Sequence, residues 1–171
     1  GVLVRQTFDW LAELCEQRPG AALYFQDSIF PATRSVRQKL LPMLKSLYLS
    51  AGVKAECVAF IEDMAGAYEW ADLVICRAGA LTIAELAAAG VASILVPFPH
   101  AVDDHQTGNA KFLVHAGGAF LLPQDELTPE AIALIRNYSR GQLLEMSEKA
   151  RSLAKPAATE EVATICAEIA K

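Results

Sequence analysis

Short apolar runs alternating with stretches of helical spacing fill most of this chain, and their order predicts its architecture. Leu73-Val74-Ile75-Cys76 is followed by Arg77-Ala78-Gly79-Ala80-Leu81, then by a helix-forming run closed at Gly90, then by a second apolar run ending at Pro97. Apolar runs of that length separated by one short helix describe a β-α-β unit in a parallel sheet covered on both faces. Further strands are predicted at Ala21 to Phe25, at Lys54 to Phe60 with its apolar side at Val58 and Phe60, at Ile94 to Val96 and at Ala119 to Leu122. Helical spacing marks Val2 to Cys15, a short helix ending at Trp70, Ala110 to His115, and three later helices: one reaching Tyr138, one from Gly141 to Leu153 and one from Thr159 to Ala170. The fold class is therefore α/β, a Rossmann-like parallel sheet with helices on both faces.

Ligands of such sheets bind beyond the carboxyl ends of the strands, which makes the loop from Arg77 to Leu81 the first candidate site. Thr82-Ile83-Ala84-Glu85 fits a T-x-x-E capping box, in which the Thr hydroxyl accepts from the N3 amide and the Glu carboxylate reaches back to the cap amide. Gly79 and the small Ala78 and Ala80 allow a ligand close to the backbone. First-turn amides are unpaired and carry the positive end of the helix dipole, so a phosphate can bind there without any Lys. The same spacing also describes a plain strand-to-helix turn with a cap, and both readings stand at this point.

Other clusters carry less. Arg34, Arg37, Lys39 and Lys45 interleave with Leu40, Leu41, Met43, Leu44 and Leu47. That pattern favours a core-facing helix with a solvated basic side over a helix lying on an anionic membrane, with Pro42 starting or kinking it. Glu62 and Asp63 are adjacent and point different ways, which suits solvation and capping better than paired acid-base work. His100, Asp103, Asp104 and His105 match no helical pair on one face, so no metal is expected. Asn109 is read as opening the helix that ends at His115, where the dipole favours a basic group. Thr128 is a cap with Pro129 at the first helical position.

Composition narrows the class. A chain of 171 residues, 53% hydrophobic with mean hydropathy +0.27, fills one core and is too short for two ordinary domains. No apolar run approaches the roughly 18 residues needed to cross a bilayer, and no cleavable signal segment is expected. A net charge of −5 argues against a nucleic-acid partner. The four cysteines, Cys15, Cys57, Cys76 and Cys166, include no C-x-x-C pair and are expected as buried free thiols of a reducing cytoplasm. No cofactor is implied.

ADLVICRAGALTIAELAAAG, followed by LVPFPHAVDDHQTGNAKFL, closely resembles the carboxyl-terminal, donor-binding half of the MurG family of bacterial glycosyltransferases. The likeness takes in FIEDMAGAYEWADLV and LTPEAI and runs from about Gly52 to Lys155. It implies the C-terminal half of a GT-B fold, a single donor-binding domain over 1–171 whose acceptor-binding N-terminal partner domain is not in this chain. In the family this half opens with a strand and a glycine-rich turn that are not seen here, so a sheet of order 3-2-1-4-5-6 should show a gap at its centre.

The family's activity is inverting transfer of N-acetylglucosamine from UDP-N-acetylglucosamine to the lipid-linked muramyl-pentapeptide precursor of peptidoglycan, at the cytoplasmic face of the plasma membrane. By the resemblance, Ile61 flanks the uracil and the turn Ala80, Leu81, Thr82, Ile83 and Ala84 presents amides to the diphosphate. Glu85 accepts from the ribose hydroxyls, in competition with its capping role, and Gln106 holds the sugar. No catalytic base is assigned, and His100, Asp103 and His105 are not substitutes for one. The isolated chain is expected to be inactive. The alternatives are a nucleotide-sugar-binding subunit that needs a separate membrane partner, and a non-catalytic α/β interaction module.

Overall fold

A computed structural model describes residues 23–25, 34–50, 56–99, 101–128, 130–131 and 137–170. Its centre is a four-stranded parallel sheet in which β1 (Leu23–Phe25), β2 (Leu73–Cys76), β3 (Ser93–Leu95) and β4 (Ala119–Leu121) lie side by side in chain order. Leu23 pairs with Leu73, Ile75 with Ile94, and Ile94 with Phe120, so the register is continuous across the sheet. The expected central gap is absent. The strand at 23–25 pairs directly with β2, whose backbone N–H and C=O groups would otherwise be left unpaired on that side. The helix expected over residues 2–15 and the loop of residues 26–33 lie outside the described residues.

The described helices are α1 (Arg34–Ser50), α2 (Met64–Trp70), α3 (Ala80–Ala89), α4 (His105–His115), α5 (Arg140–Ser152) and α6 (Ala158–Ile169). Alternation along the strands sorts the sheet into two faces. Val74, Cys76, Leu95 and Ala119 pack with Tyr68 of α2, Ile83 and Leu86 of α3, Ala110 and Leu113 of α4 and Ala150 of α5. Leu73, Ile75 and Ile94, on the opposite face, are also buried. Phe120 of that face meets the Tyr138 ring at a centroid distance of 4.8 Å. Both faces of the sheet are thus withdrawn from water, which is why the strands read as unbroken apolar runs.

Two sequence expectations need correction. Residues 56–60 form no strand: Val58 and Phe60 stand exposed while Cys57, just before Val58, is buried, the reverse of the predicted facing. β3 ends at Leu95 rather than Val96, although the Val96 amide still donates to the Cys76 carbonyl at 2.8 Å. Of the two places open to Pro42, the structure shows the one inside α1 rather than the one at its start. The last long helices fall close to where they were expected. α5 has a capping box that the pattern analysis missed, with the Gln142 amide donating to Ser139 Oγ and Gln142 Oε1 accepting from the Ser139 amide. The Thr128 cap is present, its Oγ1 accepting from the Ala131 amide at 3.2 Å.

Candidate functional site

One buried cation ties the strand tips together. Arg77, the first residue after β2, is 9% exposed. Its Nη1 donates to the carbonyls of Pro97 at 2.9 Å and Val96 at 3.2 Å, and its Nη2 donates to Gln124 Oε1 at 2.6 Å. The guanidinium also stands 5.5 Å from the centre of the Phe98 ring. The loops after β2, β3 and β4 are thereby held to a single fork of donors, the arrangement that makes a buried guanidinium tolerable. Asn109 adds a further tie from α4, its Nδ2 donating to the Ala78 carbonyl at 3.1 Å.

On this platform α3 begins three residues earlier than the T-x-x-E pattern implies. Its N-cap is Gly79, in an extended conformation with φ −65° and ψ 147°, and the Ile83 amide donates to the Gly79 carbonyl at 3.0 Å to close the first turn. Thr82 is therefore the third helical residue and not the cap. Gly79 has no side chain with which to satisfy the first turn, so the amides of Ala80, Leu81 and Thr82 meet no capping group. They face the space beyond the strand tips, where Leu81 is 80% exposed. Ile83 and Ala84, also expected to present amides, do not: the Ile83 amide is taken by Gly79, its side chain is buried, and Ala84 follows it into the helical ladder. The anion-accepting mouth is narrower than the sequence suggests.

The capping role of Glu85 falls away at the same time. Its carboxylate does not reach back to cap the helix. Instead Oε2 accepts from the Tyr68 hydroxyl at 3.0 Å, and the residue remains exposed at the surface of α3. Its negative charge is felt at the neighbouring Cys76 thiol, whose pKa is pushed up to about 12, first by burial and then by Glu85. Cys57 is buried as well, which raises its thiol against the opposing pull of Lys45, whereas Cys166 is exposed. Cys15 lies outside the described residues.

Gln106 sits in the first turn of α4 rather than on the loop before it, because that helix starts at His105 and not beside Asn109. Its Oε1 accepts from the Phe98 amide at 2.9 Å, which leaves the Nε2 donors without a protein acceptor among the described residues. Before the helix Asp103 and Asp104 both adopt left-handed conformations, with φ 54° and 50°, and Asp104 Oδ1 accepts from Thr107 Oγ1 at 2.6 Å. Ile61 is half-buried in the loop before α2, two residues ahead of Asp63, whose Oδ1 accepts from the Gly66 amide at 2.9 Å as the α2 cap. The reading of Asp63 as a capping acid holds.

Sequence reasoning missed Arg77, Tyr68 and Gln124. A charged residue placed directly after an unbroken apolar strand was the available signal for the first; the other two act across 17 and 47 residues of chain. A cleft of about 340 Å³ lined by Asp72, Leu144 and Ser147 lies at the other end of β2, where Arg140 pairs with Asp72 at 3.1 Å. It is separate from the strand tips.

The profile of the glycosyltransferase family 28 C-terminal domain matches residues 24–168. The chain belongs to this family. The chain is 84% identical over 134 residues to the UDP-N-acetylglucosamine--N-acetylmuramyl-(pentapeptide) pyrophosphoryl-undecaprenol N-acetylglucosamine transferase of Dechloromonas aromatica (strain RCB), a match covering 78% of this chain and 38% of the relative. It is 61% identical over 135 residues to the protein of the same name from Azoarcus sp. (strain BH72), again with 78% and 38% covered. The crystal structure of Acinetobacter baumannii MurG superimposes with a TM-score of 0.74 at 36% identity, over 91% of this chain and 52% of that one. The chain spans about two fifths of the length of these curated relatives. The family 28 assignment and the MurG likeness agree with the GT-B half-fold expected from the sequence.

Proposed function

We propose that this chain is the UDP-sugar-binding half of an enzyme that transfers N-acetylglucosamine from UDP-N-acetylglucosamine to the lipid-linked muramyl-pentapeptide precursor, converting lipid I to lipid II in peptidoglycan synthesis. The observation that carries the proposal is the uncapped start of α3 at Gly79, directly beyond β2, with the Glu85 carboxylate on the same helix. A diphosphate at that mouth meets the amides of Ala80, Leu81 and Thr82 and the positive end of the helix dipole. A carboxylate can accept from both hydroxyls of a ribose diol, which gives Glu85 its role. Gln106 offers its free amide donors to a sugar hydroxyl, and Ile61 lies against the uracil while neighbouring backbone groups read the base edge.

In the displacement, the acceptor hydroxyl attacks the anomeric carbon, configuration inverts, and UDP leaves with growing charge on its β-phosphate. The preorganised amides at α3 stabilise that charge as it develops. The residues described here include no group placed as the base, a role that falls to the acceptor-binding half. Among the described residues no helix is long and apolar enough to cross a membrane. The proposed enzyme works at the cytoplasmic face of the plasma membrane, in peripheral contact with it.

The test is a transfer assay with a lipid I analogue. The isolated 171-residue chain is expected to show no turnover and weak UDP binding, and the same residues within a protein of full relative length are expected to transfer the sugar, losing at least tenfold in donor affinity on Glu85→Ala. Turnover by the isolated chain, or full activity of the Glu85→Ala protein, contradicts the proposal.

A further inference from the structure

We infer that Tyr68 is a positioning residue that sets the orientation of the Glu85 carboxylate through its hydroxyl; this rests on the ribose-binding role of Glu85 proposed above. Glu85 stands exposed on α3, where a Glu side chain has several rotatable bonds and loses conformational entropy when it is fixed. Among the described residues its one hydrogen bond comes from Tyr68, whose hydroxyl donates to Oε2 at 3.0 Å. The donor is far more rigid than the acceptor. Tyr68 is 4% exposed, its ring packed in the core with Val74, Cys76 and Ile83, so the hydroxyl projects from a fixed base to the surface. Such a bond leaves Oε1 and the second lone pair of Oε2 for two ligand hydroxyls, and it selects the rotamer before the ligand arrives.

The placement of α2 adds to this. Asp63 caps the helix through the Gly66 amide, and a Cβ on Gly66 would stand 2.5 Å from Asp63 Oδ2, so the approach of cap and helix is tight. Ile61 lies two residues before that cap and Tyr68 five residues after it. One short helix thereby ties the loop assigned to the base to the carboxylate assigned to the ribose. A shift of α2 moves both contacts together, and the hydroxyl is the link between them.

The experiment uses full-length protein containing this chain, titrated with UDP and with 2′,3′-dideoxy-UDP, which lacks the two ribose hydroxyls. Tyr68→Phe keeps the ring in the core and removes only the donor. The expected result is a rise of about three- to tenfold in the UDP dissociation constant and in the donor KM, with kcat within about twofold and dideoxy-UDP binding unchanged. Equal weakening of both nucleotides would reveal a merely structural role and overturn the inference, as would no weakening of either. In the Glu85→Ala background Tyr68→Phe should have no further effect on UDP; an undiminished effect there overturns the inference even if the single variant is poorly folded. Failure of the underlying reading looks different: Glu85→Ala would then leave the ratio of UDP to dideoxy-UDP affinity as it was.

Discussion

The two ends of the sheet treat backbone space in opposite ways. At the ends where β3 and β4 begin, α5 presses against the turns. A Cβ on Gly118 would lie 2.8 Å from the backbone N and Cα of Ala150, Gly90 holds φ +65° with the Arg151 Cβ at 3.0 Å, and the Ala92 amide donates to Ser147 Oγ at 3.1 Å. The Arg151 guanidinium also donates to the Ala88 carbonyl. At the opposite end, where β2 and β3 finish, the glycines face open space. A Cβ on Gly79 would meet only Thr82 Oγ1 at 3.5 Å, and one on Gly108 would meet nothing within 4 Å. Glycine at the closed end is demanded by the fold, whereas glycine at the open end is demanded by nothing inside the protein. The difference singles out the open end as the surface to which the proposed diphosphate is assigned.

Substitutions at the two ends should therefore fail in different assays. Gly118→Ala forces a methyl into the α5 backbone and is expected to destabilise by about 3 kcal/mol, read by denaturant unfolding. A loss under about 1 kcal/mol would mean that α5 can move away and that the closed end is softer than it looks. Gly90→Ala places a side chain in a left-handed conformation and should lower stability by about 1.5 kcal/mol in the same measurement.

Gly79→Ala is expected to do the converse. Its backbone angles suit any residue and the space is free, so stability should stay within about 0.5 kcal/mol while UDP affinity falls about tenfold through the methyl at the mouth of α3. If stability falls and affinity does not, the comparison breaks. Smallest of all, Ser93→Ala should be neutral or stabilising by up to about 1 kcal/mol. Ser93 Oγ is buried beside Val74 and Ala119 with no hydrogen-bond partner among the described residues, so removing it relieves an unsatisfied group at the closed end.

What the sequence made legible follows the range of the forces involved. The β-α-β unit around Gly79 was readable because apolar runs and a helix of fixed length are local signals, and the loop named as the candidate site does lie between β2 and α3. The start of α3 was misread because T-x-x-E is also local, and the deciding contact, the Ile83 amide on the Gly79 carbonyl, reaches three residues ahead of the motif. Adjacency of β1 and β2 is set by pairing across about 50 residues of chain, which no periodicity encodes. The position of Arg77 after an apolar strand was a signal, but the partners of its clamp were hidden for the same reason: they are carbonyls at Val96 and Pro97 and the side chain of Gln124, and backbone acceptors have no residue signature. The family resemblance supplied residue roles that spacing could not, and the geometry then trimmed them, removing Ile83 and Ala84 from the amide mouth and freeing Glu85 from the cap.

The central claim is that the first turn of α3 receives the diphosphate. A crystal structure of the full-length protein with UDP tests it most directly. The account predicts phosphate oxygens within about 3 Å of the Ala80, Leu81 and Thr82 amides and the ribose diol on Glu85; UDP bound elsewhere, with that turn still facing water, would contradict it.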